Sequence, residues 1–197
     1  LGLLPVLNVN TAVAQNYKLN FKTESRQVLY RESELQFDYE RVDISLILSR
    51  KTGLNNSIAV GYLLSIREGL LVSRSIQQFT ITRKYASLRL AHRFSMDQIF
   101  EKDEDTAFRI RYRLSNQLPL NGRSVNAKEF YLKVNNEYLN SFQGGDYDLE
   151  IRLGLLLGYE FSDNSKIEFG LDQRFDSFIE AKLRKRSWIN FAWYVAL

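Results

Sequence analysis

His92 is the only histidine of the chain, and cysteine is absent. Few side chains are therefore equipped for covalent or proton-transfer chemistry. A serine nucleophile needs a base, and the base needs an orienting acid. The serines nearest His92 are Ser87 and Ser95. In "RLAHRFS" Ser95 stands three residues beyond His92, so an extended strand puts the two on opposite faces. His92 falls in phase with Leu88 and Leu90 and reads as a non-catalytic residue near a strand end. Glu150 and Glu160 could serve as an acid–base pair, but arginines alternate along the same strands, which favours ion-paired packing. The run "EKDED", Glu101 to Asp105, offers clustered oxygens of the kind calcium takes, and reads as a solvated loop. A His/Cys metal site is excluded by counting. No G-x-x-x-x-G-K, G-x-S-x-G or H-E-x-x-H occurs. No catalytic residue, metal ligand or cofactor is assigned.

The charged residues are better explained by the elements that carry them. In "FRIRYRL", Phe108, Ile110, Tyr112 and Leu114 face one way and Arg109, Arg111 and Arg113 the other. "DLEIRLGLLLGYEF" repeats the pattern, with Leu149, Ile151, Leu153, Leu155, Leu157, Tyr159 and Phe161 alternating against Glu150, Arg152, Gly154, Leu156, Gly158 and Glu160. Strands of this kind are expected at 17–28, 34–49, 57–67, 75–83, 87–98, 108–114, 130–138, 148–161, 166–174 and 187–197. Within 34–49 the apolar phase slips by one residue between Tyr39 and Val42, which predicts a β-bulge. "KTGLNN", "FEKDED", "FQGGDY" and "FSDNSK" read as hairpin connections, and no helical periodicity intervenes. Face-matching across the hairpin at Asp163 predicts a three-residue loop, Asp163-Asn164-Ser165, with Phe161 opposite Ile167 and Tyr159 opposite Phe169.

The 197 residues suffice for one domain or one closed barrel. No run of ~18 apolar residues could form a transmembrane helix. Net charge is +4, and the basic residues are spread along the strands, a distribution that does not call for nucleic acid. The exception is "KLRKRS", where Lys182, Arg184, Lys185 and Arg186 read as a basic loop able to meet lipid phosphates or an acidic partner. "LGLLPVLNVNTAVAQ" joins a short apolar run to Ala12-Val13-Ala14, the form of a signal-peptidase site. Residues 1–15 are accordingly expected to be a signal remnant or N-terminal extension, and 16–197 the barrel domain.

Which face points outward decides the class. Strands of ~10 to 15 residues exceed the ~5 to 6 usual in soluble sheets. Aromatics such as Tyr17, Phe130, Tyr138, Tyr147, Tyr159 and Phe161 fall near strand ends, as interfacial girdles do. The polar faces carry opposite charges that could interlock: Arg109, Arg111, Arg113, Lys133, Arg152 and Arg174 with Glu137, Glu150, Glu160, Glu168 and Asp172. The expectation is an all-β fold, a single antiparallel up-and-down transmembrane β-barrel of about ten strands, with 8 or 12 as alternatives. The apolar face would meet lipid, the charges would plug the lumen, and both termini would lie on the periplasmic side. The alternative is a soluble barrel with an inner ligand cavity. The ending "WINFAWYVAL" resembles the last strand of outer-membrane barrels, though it closes on Leu197 rather than an aromatic.

"FRIRYRLSNQLPLNG", "EFYLKVNNEYL" and "RLGLLLGYEFSDNSKIEFGLDQRF" resemble the outer-membrane barrel family designated domain of unknown function 2490. The similarity covers roughly 108–175. It implies a signal-exported barrel of a Gram-negative outer membrane and carries over no catalytic residue. One feature fits less well: 117–128 is long for the periplasmic turn this topology would assign it. The expected function is a non-enzymatic structural or interaction component of the envelope, with membrane lipid and an envelope protein as partners and no small-molecule substrate identified. A narrow channel made anion-preferring by the Arg109/Arg111/Arg113 ladder and a lipid-acting enzyme using His92 are the alternatives.

Overall fold

The computed structural model describes residues 1–31, 34–178 and 183–197. The described residues form eleven strands and no helix: β1 Gly2–Ala14, β2 Tyr17–Arg31, β3 Glu34–Lys51, β4 Asn56–Arg67, β5 Leu70–Tyr85, β6 Leu88–Phe100, β7 Ala107–Pro119, β8 Glu129–Gln143, β9 Asp146–Ser162, β10 Ser165–Asp176 and β11 Arg184–Ala196. Consecutive strands pair antiparallel, and β1 closes the barrel by pairing parallel with β11, from Gly2↔Trp188 to Asn10↔Ala196. The strands run 12 to 18 residues, each needed to circle a tilted wall.

The all-β barrel matches the sequence expectation, with three differences. The strand count is eleven, because Gly2–Ala14 is a wall strand. A short apolar run ending in small residues has the same composition whether it is an export signal or a strand, so it reads as a signal remnant or N-terminal extension and not as a wall strand. An odd count also makes the first and last strands parallel. Leu1 and Leu197 therefore sit at opposite ends of the eleven-strand barrel, whereas the expectation of both termini on one side concerns residues 16–197. The third difference is the hairpin at Asp163. The loop is the two residues Asp163-Asn164, Ser165 pairs with Ser162, and Ile167 lies opposite Tyr159 rather than Phe161. Face-matching is kept all the same, because Phe161 is skipped as a bulge in β9 and supplies the odd residue that the loop does not.

Several turns follow directly from local chemistry. Gly144 and Gly145 both take positive φ, 58° and 94°, as a two-residue type I′ hairpin requires. The bulge expected in β3 is present: Arg26 pairs with Arg41 and Gln27 with Tyr39, leaving Glu40 as the extra residue. That single residue keeps Tyr39 on the same outer face as Val42, Ile44 and Leu46, and a second register shift, between Val28 and Tyr30, follows nearer the hairpin tip. The β2–β3 hairpin continues past the first β3–β4 pair, Arg41↔Arg67, so its tip stands beyond the wall. Leu35 and Phe37 there are 88% and 73% exposed.

The outer wall is apolar over most of its height. On β9, Leu153, Leu155 and Leu157 are all exposed between Tyr147 and Tyr159. Those two rings are twelve residues apart, about 28 Å along the axis at ~3.3 Å per residue and ~45° tilt. Tyr159 packs with Phe130 and Phe161 at one end, and Tyr147 with Phe142 at the other. Tyr138, expected near a strand end, sits well inside β8.

Deleting Glu40 should keep both halves of β3 in phase, leaving the barrel folded and within about 1 kcal/mol of the parent in urea unfolding. Deleting Ile44 turns one half of the strand inside out and should abolish folding in the same assay.

Candidate functional site in the lumen

The alternation that bares leucines outside sends charge inside. Ten of the eleven charged residues expected in the lumen line its cavity, and the eleventh, Glu150, is ion-paired with one of them, Arg152. Their partners come from neighbouring strands, because paired residues of adjacent strands share a face.

Glu137 on β8 is nearly fully buried and accepts hydrogen bonds from two arginines. Arg113 Nε on β7 donates to Oε2 at 2.7 Å, and Arg152 Nη1 on β9 to Oε1 at 3.0 Å. Arg152 in turn forks onto Glu150, with Nε at 2.8 Å and Nη2 at 3.1 Å. This chain of charge-assisted bonds crosses three strands at mid-barrel. Beside it Arg111 donates to the wholly buried Asp97 at 2.8 Å, and Arg74 stands 3.8 Å from the same carboxylate. Lys22 and Arg26 flank Glu24 at 2.6 and 3.0 Å. Arg41 pairs with Asp43 at 3.5 Å, and Arg174 with Asp172 at 2.6 Å. Arg26 and Arg174 both lie over the Trp188 ring, at 5.8 and 5.7 Å. Trp188 itself packs with Leu4, Val6, Val28 and Ala192, an apolar wedge behind the β1–β11 pair.

A second carboxylate network lies toward the Leu197 end. Glu168 on β10 accepts Lys133 Nζ at 2.9 and 2.8 Å, the Tyr131 hydroxyl at 2.8 Å and the Tyr194 hydroxyl at 3.1 Å. Tyr131 reaches it from β8 by lying across β9 at Gly158. A Cβ built at Gly158 would come within 2.1 Å of the Tyr131 ring. The small residues on the polar face of β9 are thus the space that Tyr131 fills.

Not every expected residue joins these networks. Among the described residues Arg109 and Glu160 form no ion pair. Of the basic loop, Lys182 lies outside the described residues. The other three begin β11 and are not loop residues. Arg184 and Arg186 pair with Asp176 at 3.4 and 3.1 Å, and Lys185 lies over the Phe175 ring. Asp176 draws them into the sheet. The network members missed in the sequence are Asp97, Arg74, Tyr131, Tyr194 and Trp188. Asp97 and Tyr131 were within reach, since they continue the inward phases of Arg89, Arg93 and Ser95 and of Lys133.

The residues weighed for chemistry are kept apart by the fold. His92 faces outward, its Nδ1 2.9 Å from the Tyr112 hydroxyl, while Ser95 is buried on the inner face. Glu101 of the acidic run accepts Arg67 at 3.1 Å.

The family model described as protein of unknown function (DUF2490) matches residues 4–182. The chain belongs to this family. The matched span starts within β1 and stops just short of β11. Neither a curated protein nor a solved structure matches the chain.

In this DUF2490 barrel the mid-level charges leave a lumen cavity of about 790 Å³, lined by 14 basic and 7 acidic residues. The arrangement can brace the wall and hold anions. Removing one member of a buried ion-paired group strands the others. Glu137→Gln, which leaves Arg113 and Arg152 without their shared carboxylate, should cost about 3 kcal/mol of unfolding free energy, read by urea titration.

Proposed function

We propose that this chain is a non-enzymatic β-barrel of a Gram-negative outer membrane, acting as a structural or interaction component of the envelope. The observation that carries this reading is the inverted alternation: an aliphatic belt about 28 Å tall outside, bounded by aromatic clusters, and ion-paired charges inside. A water-soluble barrel would turn these faces the other way. The partners this reading calls for are membrane lipid around the belt and an envelope protein at the rim, where the exposed Leu35 and Phe37 of the β2–β3 hairpin are the candidate contact.

The reading includes export. Ala12-Val13-Ala14 is exposed at the end of β1 beside the Gln15-Asn16 turn. Cleavage after Ala14 would remove β1 and leave ten strands. β2 and β11 would then meet as antiparallel edges, with the new amino end and Leu197 both at one end of the barrel, the periplasmic one. On cold SDS gels of detergent-extracted envelope, the unboiled protein should run faster than the boiled one, with Gln15 at its amino end. A soluble, unshifted band would overturn the membrane reading.

The surplus of basic side chains in the lumen favours a second reading, a narrow anion-preferring channel. In planar bilayers such a channel would pass anions over cations. Arg109→Glu, at an arginine with no ion pair among the described residues, would then move the reversal potential toward cations. Electrically silent barrels would favour the plugged component.

A further inference from the structure

The two mouths of the barrel differ in charge. The mouth at the Leu197 end opens into a cavity of about 850 Å³, continuous with the lumen through Lys18, Arg89 and Lys166. Six basic residues line it, Lys18, Lys51, Lys84, Arg89, Arg123 and Lys166, against one acidic residue, Glu160. Among the described residues none of the six forms an ion pair, whereas the guanidinium groups of Arg113, Arg152 and Arg111 deeper in the lumen do. At the other mouth the β6–β7 turn carries Glu101, Asp103, Glu104 and Asp105 against Lys102. Arg67, Arg184 and Arg186, at that same mouth, are ion-paired with Glu101 and Asp176, so it is the cluster of cations without ion pairs that distinguishes the Leu197 end.

The cations also converge. Lys18, Lys51, Lys84, Arg89 and Lys166 come from five strands, and each holds the inward phase, with Leu19, Arg50, Arg83, Leu88 and Ile167 beside them on the outer phase. Arg123 comes from the loop 120–128, which crosses toward the opening and is tied to its rim. Lys84 Nζ donates to Ser124 Oγ at 2.6 Å, and the Lys128 amide donates to the Glu160 carbonyl at 2.6 Å. The length of this loop, unexplained by a simple turn, is thus accounted for by what it contributes. The remaining lining is largely small and polar, including Asn16, Asn55, Asn56, Thr82, Ser87 and Gln117.

We propose that this mouth binds a small soluble anion bearing several phosphate or carboxylate groups. Its volume is that of a small-molecule site. The ring of unpaired cations needs several negative groups spread over the ligand, and the lining offers little to an apolar body. A headgroup of the surrounding bilayer is the other source of phosphate. It would meet the outer wall, and these side chains point the other way.

The test is calorimetric titration of the detergent-extracted protein, as it is isolated from the envelope, with sodium triphosphate. One site is expected, its affinity falling at least about tenfold when salt rises from roughly 0.05 M to 0.5 M. Arg89→Gln and Lys166→Gln, each checked for the heat-shifted band and read independently, should each weaken binding about threefold to tenfold. Arg89→Lys should bind within about twofold of the parent, as should Lys102→Gln at the far mouth. No triphosphate binding, or binding unchanged in both Gln variants, overturns the proposal. So does capture of short-chain phosphatidylglycerol that triphosphate fails to displace, which would assign the site to lipid. The proposal rests on the barrel alone, so a soluble, unshifted band would leave it standing.

Discussion

Closing eleven strands on themselves fixes the size of the interior, and the alternation of the strands decides what is sent into it. With most of the aliphatic side chains outside, most of what remains to fill the centre is polar or charged. Charge taken out of bulk water must be matched nearby. Glu137 illustrates how the match is made: one carboxylate holds a guanidinium from each neighbouring strand. Because adjacent strands share faces, an acid on one strand meets bases on the next two, and the pairing extends around the wall. Wall and filling therefore depend on a single register. A one-residue slip anywhere would expose the ion pairs and bury the leucines, which is why odd residues such as Glu40 and Phe161 are absorbed as bulges.

The matching is uneven along the axis. At mid-level, acids from β2, β3, β6, β8, β9 and β10 answer the arginines, and Trp188 covers the guanidinium groups of Arg26 and Arg174, which also hold Glu24 and Asp172. Toward the Leu197 end the acids thin out, and Glu168 with its two tyrosines is the last organised network. Beyond it the cations are left to water and whatever water brings. The interior thus has a braced centre and one open basic chamber, which separates what holds the barrel in shape from what could vary with a ligand.

Much of this was written in the period of two. The ten strands from Tyr17 onward, the bulge in β3 and the inward set from Arg109 to Arg174 all follow from alternation, because a strand's faces are set locally. What alternation leaves out is pairing between distant strands. Asp97 lies on the expected face, but its role depends on Arg74 and Arg111 on strands on either side. Tyr131 could be placed inward; that it crosses Gly158 to reach Glu168 depends on β9 lying between them. β1 was missed for a different reason, since a strand supplied by an apolar N-terminal run has no period of its own to distinguish it. Arg184 and Arg186 stand in a strand and not in a loop, and their partner Asp176 sits on the preceding strand, which no local pattern announces.

The parallel pair that closes the wall joins Gly2 to Trp188, nearly the whole chain apart. Every other pair joins consecutive strands, most through turns of only a few residues, so those contacts are local and cheap in chain entropy. The wall can therefore assemble hairpin by hairpin, while its two outermost strands wait on each other until the full chain is present. Until that contact forms, the sheet has two free edges with unpaired backbone groups, the state in which a β protein is most prone to pair with a foreign strand. The seam is therefore the contact that the topology closes last, and its two edges are where the sheet stays open until then.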